Sequence, residues 1–253
     1  MDKSPTDPQI RPQPLSQEDS AANPHRVLIL VPNYNDNIQA SEIALKISAT
    51  SPNYCPLIID DGSSIPLAPD AAGDGGLQVR LPDNLGLGVI THIAFDHALA
   101  AGYRAIARID GDGQHLVSDL PRLVAPIEDD AADLVVGVRV NHQTSWLRSA
   151  MKAYFSILAN WLSGGRAPKD VNTGFFAANL TAVARLNVFT FERYPEPQIF
   201  ILACREGLRV VQIEIEQQDR SQGRTTLGLS QALRMFYRFN VFVITEVMRG
   251  RRS

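Results

Sequence analysis

Residues 108–115 read RIDGDGQH, placing two carboxylates, Asp110 and Asp112, one residue apart among glycines. Side chains at i and i+2 of an extended segment leave the backbone on the same side, so both can approach one cation. Gln114 adds an amide oxygen two residues further on. Hard divalent ions take oxygen ligands and share their remaining positions with phosphates, so the expected occupant is Mg2+ or Mn2+. DGDG is also the composition of a solvated turn. A second pair, Asp60 and Asp61 in IIDDGSS, can accept hydrogen bonds from a base N–H or a ribose hydroxyl. DNLGLG (83–88) leads flexible backbone into a helix start, where partial positive charge favours phosphate.

These loops need elements to hold them. VLILV (27–31), PLIID (56–60), LQVRL (77–81), AIARID (105–110) and DLVVGVRV (133–140) read as buried strands. Helical spacing runs through 38–51, 89–102, 120–129 and 146–164, where Gly164 and Gly165 should stop the last. Short apolar strands alternating with helices predict an α/β fold with a Rossmann-like, mostly parallel sheet flanked by helices. Ligands of such sheets bind beyond the carboxyl ends of the strands. NYND, DDGSS, DNLGLG and DGDGQH should therefore meet at one edge.

The chain has 253 residues, a net charge of -3 and 45% hydrophobic residues, enough for one substantial domain. Its near-neutral balance excludes a broad nucleic-acid-binding surface. Cys55 and Cys204 lie far apart in apolar surroundings and read as reduced thiols of a cytosolic protein. The sequon at Asn179 reads as coincidence. Residues 1–24 carry five prolines and few large apolar residues, and read as a disordered leader. The main domain then covers 25–227. The remainder, 228–253, reads as an amphipathic helix with arginines at its end, suited to a membrane interface. A core or dimer-packing helix has the same composition. No apolar run is long enough for a membrane span.

VPNYND, IIDDGSS, NLGLG, RIDGDGQH, VVGVR and NTGFF, in this order from about residue 26 to about residue 226, resemble glycosyltransferase family 2 on the GT-A fold. Within it the chain looks most similar to the polyprenyl-phosphate sugar transferases of the dolichyl-phosphate mannose synthase type. The resemblance implies that Pro32, Tyr34 and Asn35, with Asp60 or Asp61, line the nucleotide pocket, and that Asn84 to Gly86 pass close to the donor. It makes Asp110, Asp112 and Gln114 the metal-binding set. Arg139, Arg148 and Arg220 would meet the acceptor's phosphate, and Asp112, Arg139 and Arg220 would serve catalysis. The implied reaction is inverting, metal-dependent transfer from a GDP- or UDP-sugar to polyprenyl phosphate. The implied location is peripheral, on the cytoplasmic face of the membrane, with a homodimer or a membrane partner subunit as further associations. Two departures stand out. The branch often reads TSGFR where this chain has NTGFF, so Phe176 replaces a basic residue. GRTTL stands where GxSK or GRSS is common.

A phosphate monoester acceptor is already ionised near neutral pH, so it needs positive charge more than a base. A hydroxyl acceptor would need a carboxylate base. Glu196 in YPEPQ is the candidate, although that segment reads more simply as a proline-bounded loop. A sugar nucleotidyltransferase would carry a glycine-rich basic phosphate loop near its N-terminus, which VPNYND is not. A non-catalytic nucleotide-sugar-binding relative would fit the altered motifs, but Asp110, Asp112 and Gln114 are all present.

Overall fold

The structure is a computed structural model that describes residues 25–111, 113–139, 146–215 and 229–250. Among the described residues seven strands form one sheet: β1 (Val27–Asn33), β2 (Tyr54–Asp60), β3 (Leu77–Arg80), β4 (Ala105–Arg108), β5 (Leu134–Arg139), β6 (Phe176–Asn179) and β7 (Val210–Ile215). Their order is β3-β2-β1-β4-β6-β5-β7. β1 and β2 are buried along nearly their whole length, as strands covered on both faces must be. Leu28 and Leu30 face one core while Val27, Ile29 and Val31 face the other, the two-residue alternation of a strand.

α1 (Asn37–Thr50) and α3 (Leu120–Glu128) cover the face of Val27 and Ile29. α2 (Leu87–Ala100), α4 (Trp146–Leu162), α5 (Leu180–Leu186), α6 (Glu196–Arg205) and α7 (Leu229–Met248) cover the other. Gly164 and Gly165 end α4 as expected, with φ of 65° and 85°. Their N–H groups return to Trp161 and Asn160, the paired bonds of a Schellman stop.

The expected parallel sheet has one inversion. β6 runs antiparallel to both β4 and β5. Its first residue, rather than its last, therefore lies at the edge where the parallel strands end. Its four residues, FAAN, are too short to show a pattern in sequence.

α7 packs one face on the body. Phe239, Phe242 and Val243 are buried, and Tyr154 Oη lies 2.5 Å from Asn240 Oδ1. Buried Glu246 holds Arg205 at 3.2 Å and Arg249 at 2.9 Å. The opposite face leaves Tyr237, Val241, Ile244 and Met248 exposed. Among the described residues no helix is long and apolar enough to cross a membrane.

Candidate active site

The loops that follow β1, β2 and β3 are tied into one rim. Asn33, at the end of β1, donates to Asn37 Oδ1 at 2.8 Å and lies 3.4 Å from Asp60 Oδ1. Asn35 takes a left-handed φ of 59°. Its N–H donates to Ser63 Oγ and its side-chain oxygen accepts from Ser64 N, both at 2.8 Å. Asp60 is fully buried and holds Arg80 at 3.3 Å and the Ser63 N–H at 3.0 Å. Asp61 accepts from the N–H groups of Leu85 at 2.7 Å and Gly86 at 2.9 Å.

Both carboxylates therefore work within the protein. Asp60 and Asp61, which the sequence offered as acceptors for a base N–H or a ribose hydroxyl, brace the 62–64 and 83–86 loops. Gly62 makes that contact achievable, since a Cβ there would lie 2.6 Å from the Asp83 carbonyl carbon. Pro32 borders the rim, where its carbonyl oxygen would lie 2.5 Å from a Cβ on Gly111. Tyr34 is half-exposed beside it, and the Asn84 side-chain oxygen is buried without a hydrogen-bond partner among the described residues. Gly86, with φ of 93°, opens α2 beneath the Arg193 side chain.

The centre of the edge is built on β4. Asp110 Oδ1 accepts from Arg108 Nη2 at 2.8 Å, two residues along the same strand face. Arg108 is 2% exposed, and its Nη1 lies 2.8 Å from Glu196 Oε1. A buried charge persists only when it is paired, and this guanidinium sits between two carboxylates. Burial would raise the Asp110 carboxyl, but Arg108, then His115 and Arg139, more than offset it and hold it below the usual range. Burial dominates at Glu196 and pushes its carboxyl up, against the pull of Arg108. Arg139, at the end of β5, donates from Nε to Asp170 Oδ2 at 2.8 Å. His115 is buried and stacks on Phe175 at 4.9 Å.

A cation fits this centre. Asp110 supplies a carboxylate whose second oxygen is outside the Arg108 hydrogen bond, and its side chain is about one-third exposed. A Cβ on Gly174 would lie 2.2 Å from both Asp110 oxygens, so the glycine is what allows the carboxylate its position. Gln114 lies partly buried in the same loop. Among the described residues no three His, Cys, Asp or Glu side chains form a complete metal cage. Asp112 and Arg220 lie outside the described residues. Arg148 belongs to the first turn of α4, and its side chain lies outside them too.

Two sequence expectations change here. YPEPQ is not a loop: Pro195 caps α6, and Glu196 opens the helix buried. Phe176, the position where the branch carries a basic residue, is 1% exposed and packs on Phe200. Its register partner in β4 is Arg108, and directly paired residues share a sheet face. The guanidinium at this place thus comes from the neighbouring strand. Arg108 was missed in sequence, although a charged residue inside an otherwise apolar strand signals a buried partner.

An α/β sheet with a carboxylate at the end of a central strand and basic side chains around it is an architecture suited to charged ligands. The model of glycosyl transferase family 2 matches residues 28–184, more than half of the chain, and the chain belongs to that family. Polyprenol monophosphomannose synthase of Mycolicibacterium smegmatis is 24% identical, with 96% of each chain covered. Undecaprenyl-phosphate mannosyltransferase of Micrococcus luteus is 26% identical over 80% of this chain and 88% of its own. Glucosyl-3-phosphoglycerate synthase from Mycobacterium tuberculosis, solved with Mn2+ and UDP-glucose, matches with a TM-score of 0.66 and 17% identity, covering 91% of this chain and 81% of that one. That likeness establishes the GT-A fold.

Proposed function

We propose that this glycosyltransferase moves a sugar from a nucleoside diphosphate donor to a polyprenyl phosphate, with inversion, at the cytoplasmic face of the membrane. The observation that carries the reading is the engagement of Glu196 by Arg108 at 2.8 Å. The carboxylate best placed to act as a base is committed to a buried ion pair, while Arg139 lies close enough to act on the charge of Asp110. Such a centre suits an acceptor that arrives already ionised, because guanidinium groups hold phosphate oxygens well. The names of the mannose-transferring relatives support the same acceptor.

In this reading Asp110, with Asp112 and Gln114, would hold Mg2+ or Mn2+ through oxygen ligands. A bound cation would supply Lewis-acid stabilisation of charge on the departing nucleoside diphosphate. The chain's own contributions are separate. The rim braced by Asp60 and Asp61 shapes the nucleotide pocket lined by Pro32, Tyr34, Asn35 and Asn84. The Gly86 turn brings a helix start towards the diphosphate. Arg139, Arg148 and Arg220 would orient the acceptor. α7 would lie against the bilayer, with its exposed apolar stripe in the headgroup region.

One observation favours a second acceptor class. Glu196 has its carboxyl pushed above the usual range by burial, a property of general bases, which would suit a hydroxyl acceptor. A transfer assay separates the two. Labelled UDP- and GDP-sugars are offered with Mn2+ and polyprenyl phosphate, polyprenol or 3-phosphoglycerate. Label should enter only the lipid phosphate, with the anomeric configuration opposite to that of the donor. Label in polyprenol or phosphoglycerate alone would replace this reading with the hydroxyl-directed one.

A further inference from the structure

We propose that Arg108 is a positioning residue whose single charge is divided between Asp110 and Glu196, and that Glu196 thereby sets how much negative charge Asp110 presents to a cation. This rests on the reading of Asp110 as a cation ligand.

The geometry is that of a shared counter-ion. Arg108 lies within 2.8 Å of each carboxylate, through a different terminal nitrogen. One guanidinium charge faces two carboxylate charges, so the trio keeps one net negative charge. The Glu196 side chain is 10% exposed and the Asp110 side chain 32%. The excess charge therefore resides where solvent, and a cation, can reach it. The Asp110 carboxylate fills the space that a side chain at position 174 would take, since a Cβ on Gly174 would lie 2.2 Å from both its oxygens. Among the described residues Arg108 forms ion pairs with no carboxylate besides these two. Its Nε makes no hydrogen bond among the described residues, so the guanidinium engages its two carboxylates through the terminal nitrogens alone.

Removing the Glu196 charge would leave the whole guanidinium charge on Asp110. The guanidinium would then compete directly with the cation for that carboxylate. The partners of metal ligands commonly alter metal affinity by 10- to 100-fold when changed, and Glu196 stands one residue further out along the same chain of contacts. α6 thus couples to the cation through Arg108 without touching it.

The test measures Mn2+ itself, by the electron paramagnetic resonance signal of the free ion, with UDP or GDP present. In Glu196→Gln the Mn2+ dissociation constant should rise by about 10-fold, while nucleotide affinity without metal stays unchanged. The apparent KM for Mn2+ in donor turnover should rise in parallel, with kcat at saturating Mn2+ largely kept. In an Arg108→Met background the same Glu196→Gln change should have no further effect on Mn2+ affinity. Unchanged Mn2+ affinity in Glu196→Gln, or loss of kcat with that affinity intact, would overturn the proposal. Should Glu196→Gln fail to fold, Glu196→Asp keeps the charge but withdraws it by one methylene. It should weaken Mn2+ in the same direction, and wild-type affinity there would overturn the proposal equally. Wild-type protein that binds no Mn2+ with either nucleotide would remove the reading of Asp110 itself, an outcome visible before any variant is made.

Discussion

At the scale of single residues, the site depends on small groups that permit close approach and on charges that neutralise one another. Gly174 is the clearest case. A Cβ there would overlap both Asp110 oxygens, so Gly174→Ala should displace the carboxylate. We expect a folded protein with a modestly lowered Tm and no Mn2+-dependent gain in nucleotide affinity, measured by thermal shift with and without chelator. Asp133, far from the site, shows the same economy of charge in a structural role. It accepts from Arg209 N at 2.8 Å and from Asn179 Nδ2 at 2.9 Å, joining the start of β5 to β6 and β7. The Arg209 hydrogen bonds hold its carboxyl down at about 2 despite partial burial. A lowered carboxylate pKa stabilises the fold above the ordinary value near 3.9, and that stability is lost as the pH falls towards 2. Asp133→Asn should therefore cost about 1 kcal/mol at pH 7, a figure reduced for the half-exposed Arg209. The difference should vanish near pH 2, as denaturant melts across this range would show. The sequon at Asn179 also finds its meaning here, since that side chain caps α5 through the Ala182 N–H at 2.8 Å.

At the scale of elements, the parallel strands β1 to β5 were legible, even the four-residue β3 and β4, and the inverted β6 was not. β1, β2, β4 and β5 appear where their β-branched and apolar runs place them, because a doubly covered strand advertises itself in composition. The loops after β1 to β4 converge as parallel topology requires. β6 escaped notice because its order comes from its neighbours: Ala177 and Ala178 fit only between β4 and β5. YPEPQ misled for a related reason. Proline favours a helix's first turn as readily as a loop, and only the buried partner Arg108 distinguishes the two. The Asp110 and Asp112 spacing is a local pattern that sequence can display, whereas the Arg108–Glu196 pairing joins residues 88 positions apart and has no local signature. α7 joins the body through an aromatic cluster in which Phe239 meets Phe155 edge-on at 4.7 Å. Phe239→Ala should cost about 3 kcal/mol, read from urea melts. Ile244→Ser, on the exposed side, should change stability by no more than about 0.5 kcal/mol.

At the scale of the whole molecule, charge and apolar surface are unevenly placed. The chain carries a net charge of -3, yet the only acid in α7, Glu246, is buried and paired, while Arg234 and Arg249 are exposed. Tyr237, Val241, Ile244 and Met248 stand at successive turns between them. Arginine beside an exposed apolar stripe matches an anionic lipid surface, whereas two such helices facing each other would bring arginine to arginine. Sedimentation with phosphatidylglycerol vesicles should retain the protein at low salt and release most of it at high salt. The Ile244→Ser, Met248→Ser double variant should bind several-fold more weakly without a change in Tm. Equal retention by neutral vesicles, or by the double variant, would remove α7 from that role. The same helix also has a direction. Arg238 meets Glu192 at 2.6 Å, just before α6 begins, and Glu246 meets Arg205 at the far end of α6. α6 and α7 therefore share one polarity, linked by ion pairs near both ends of α6. The end of α6 that meets Arg108 is the end nearest Arg238, midway along α7. In the proposed reading, a lipid lying alongside the middle of α7 would reach the Arg108 edge by moving along the surface rather than by rising out of the bilayer.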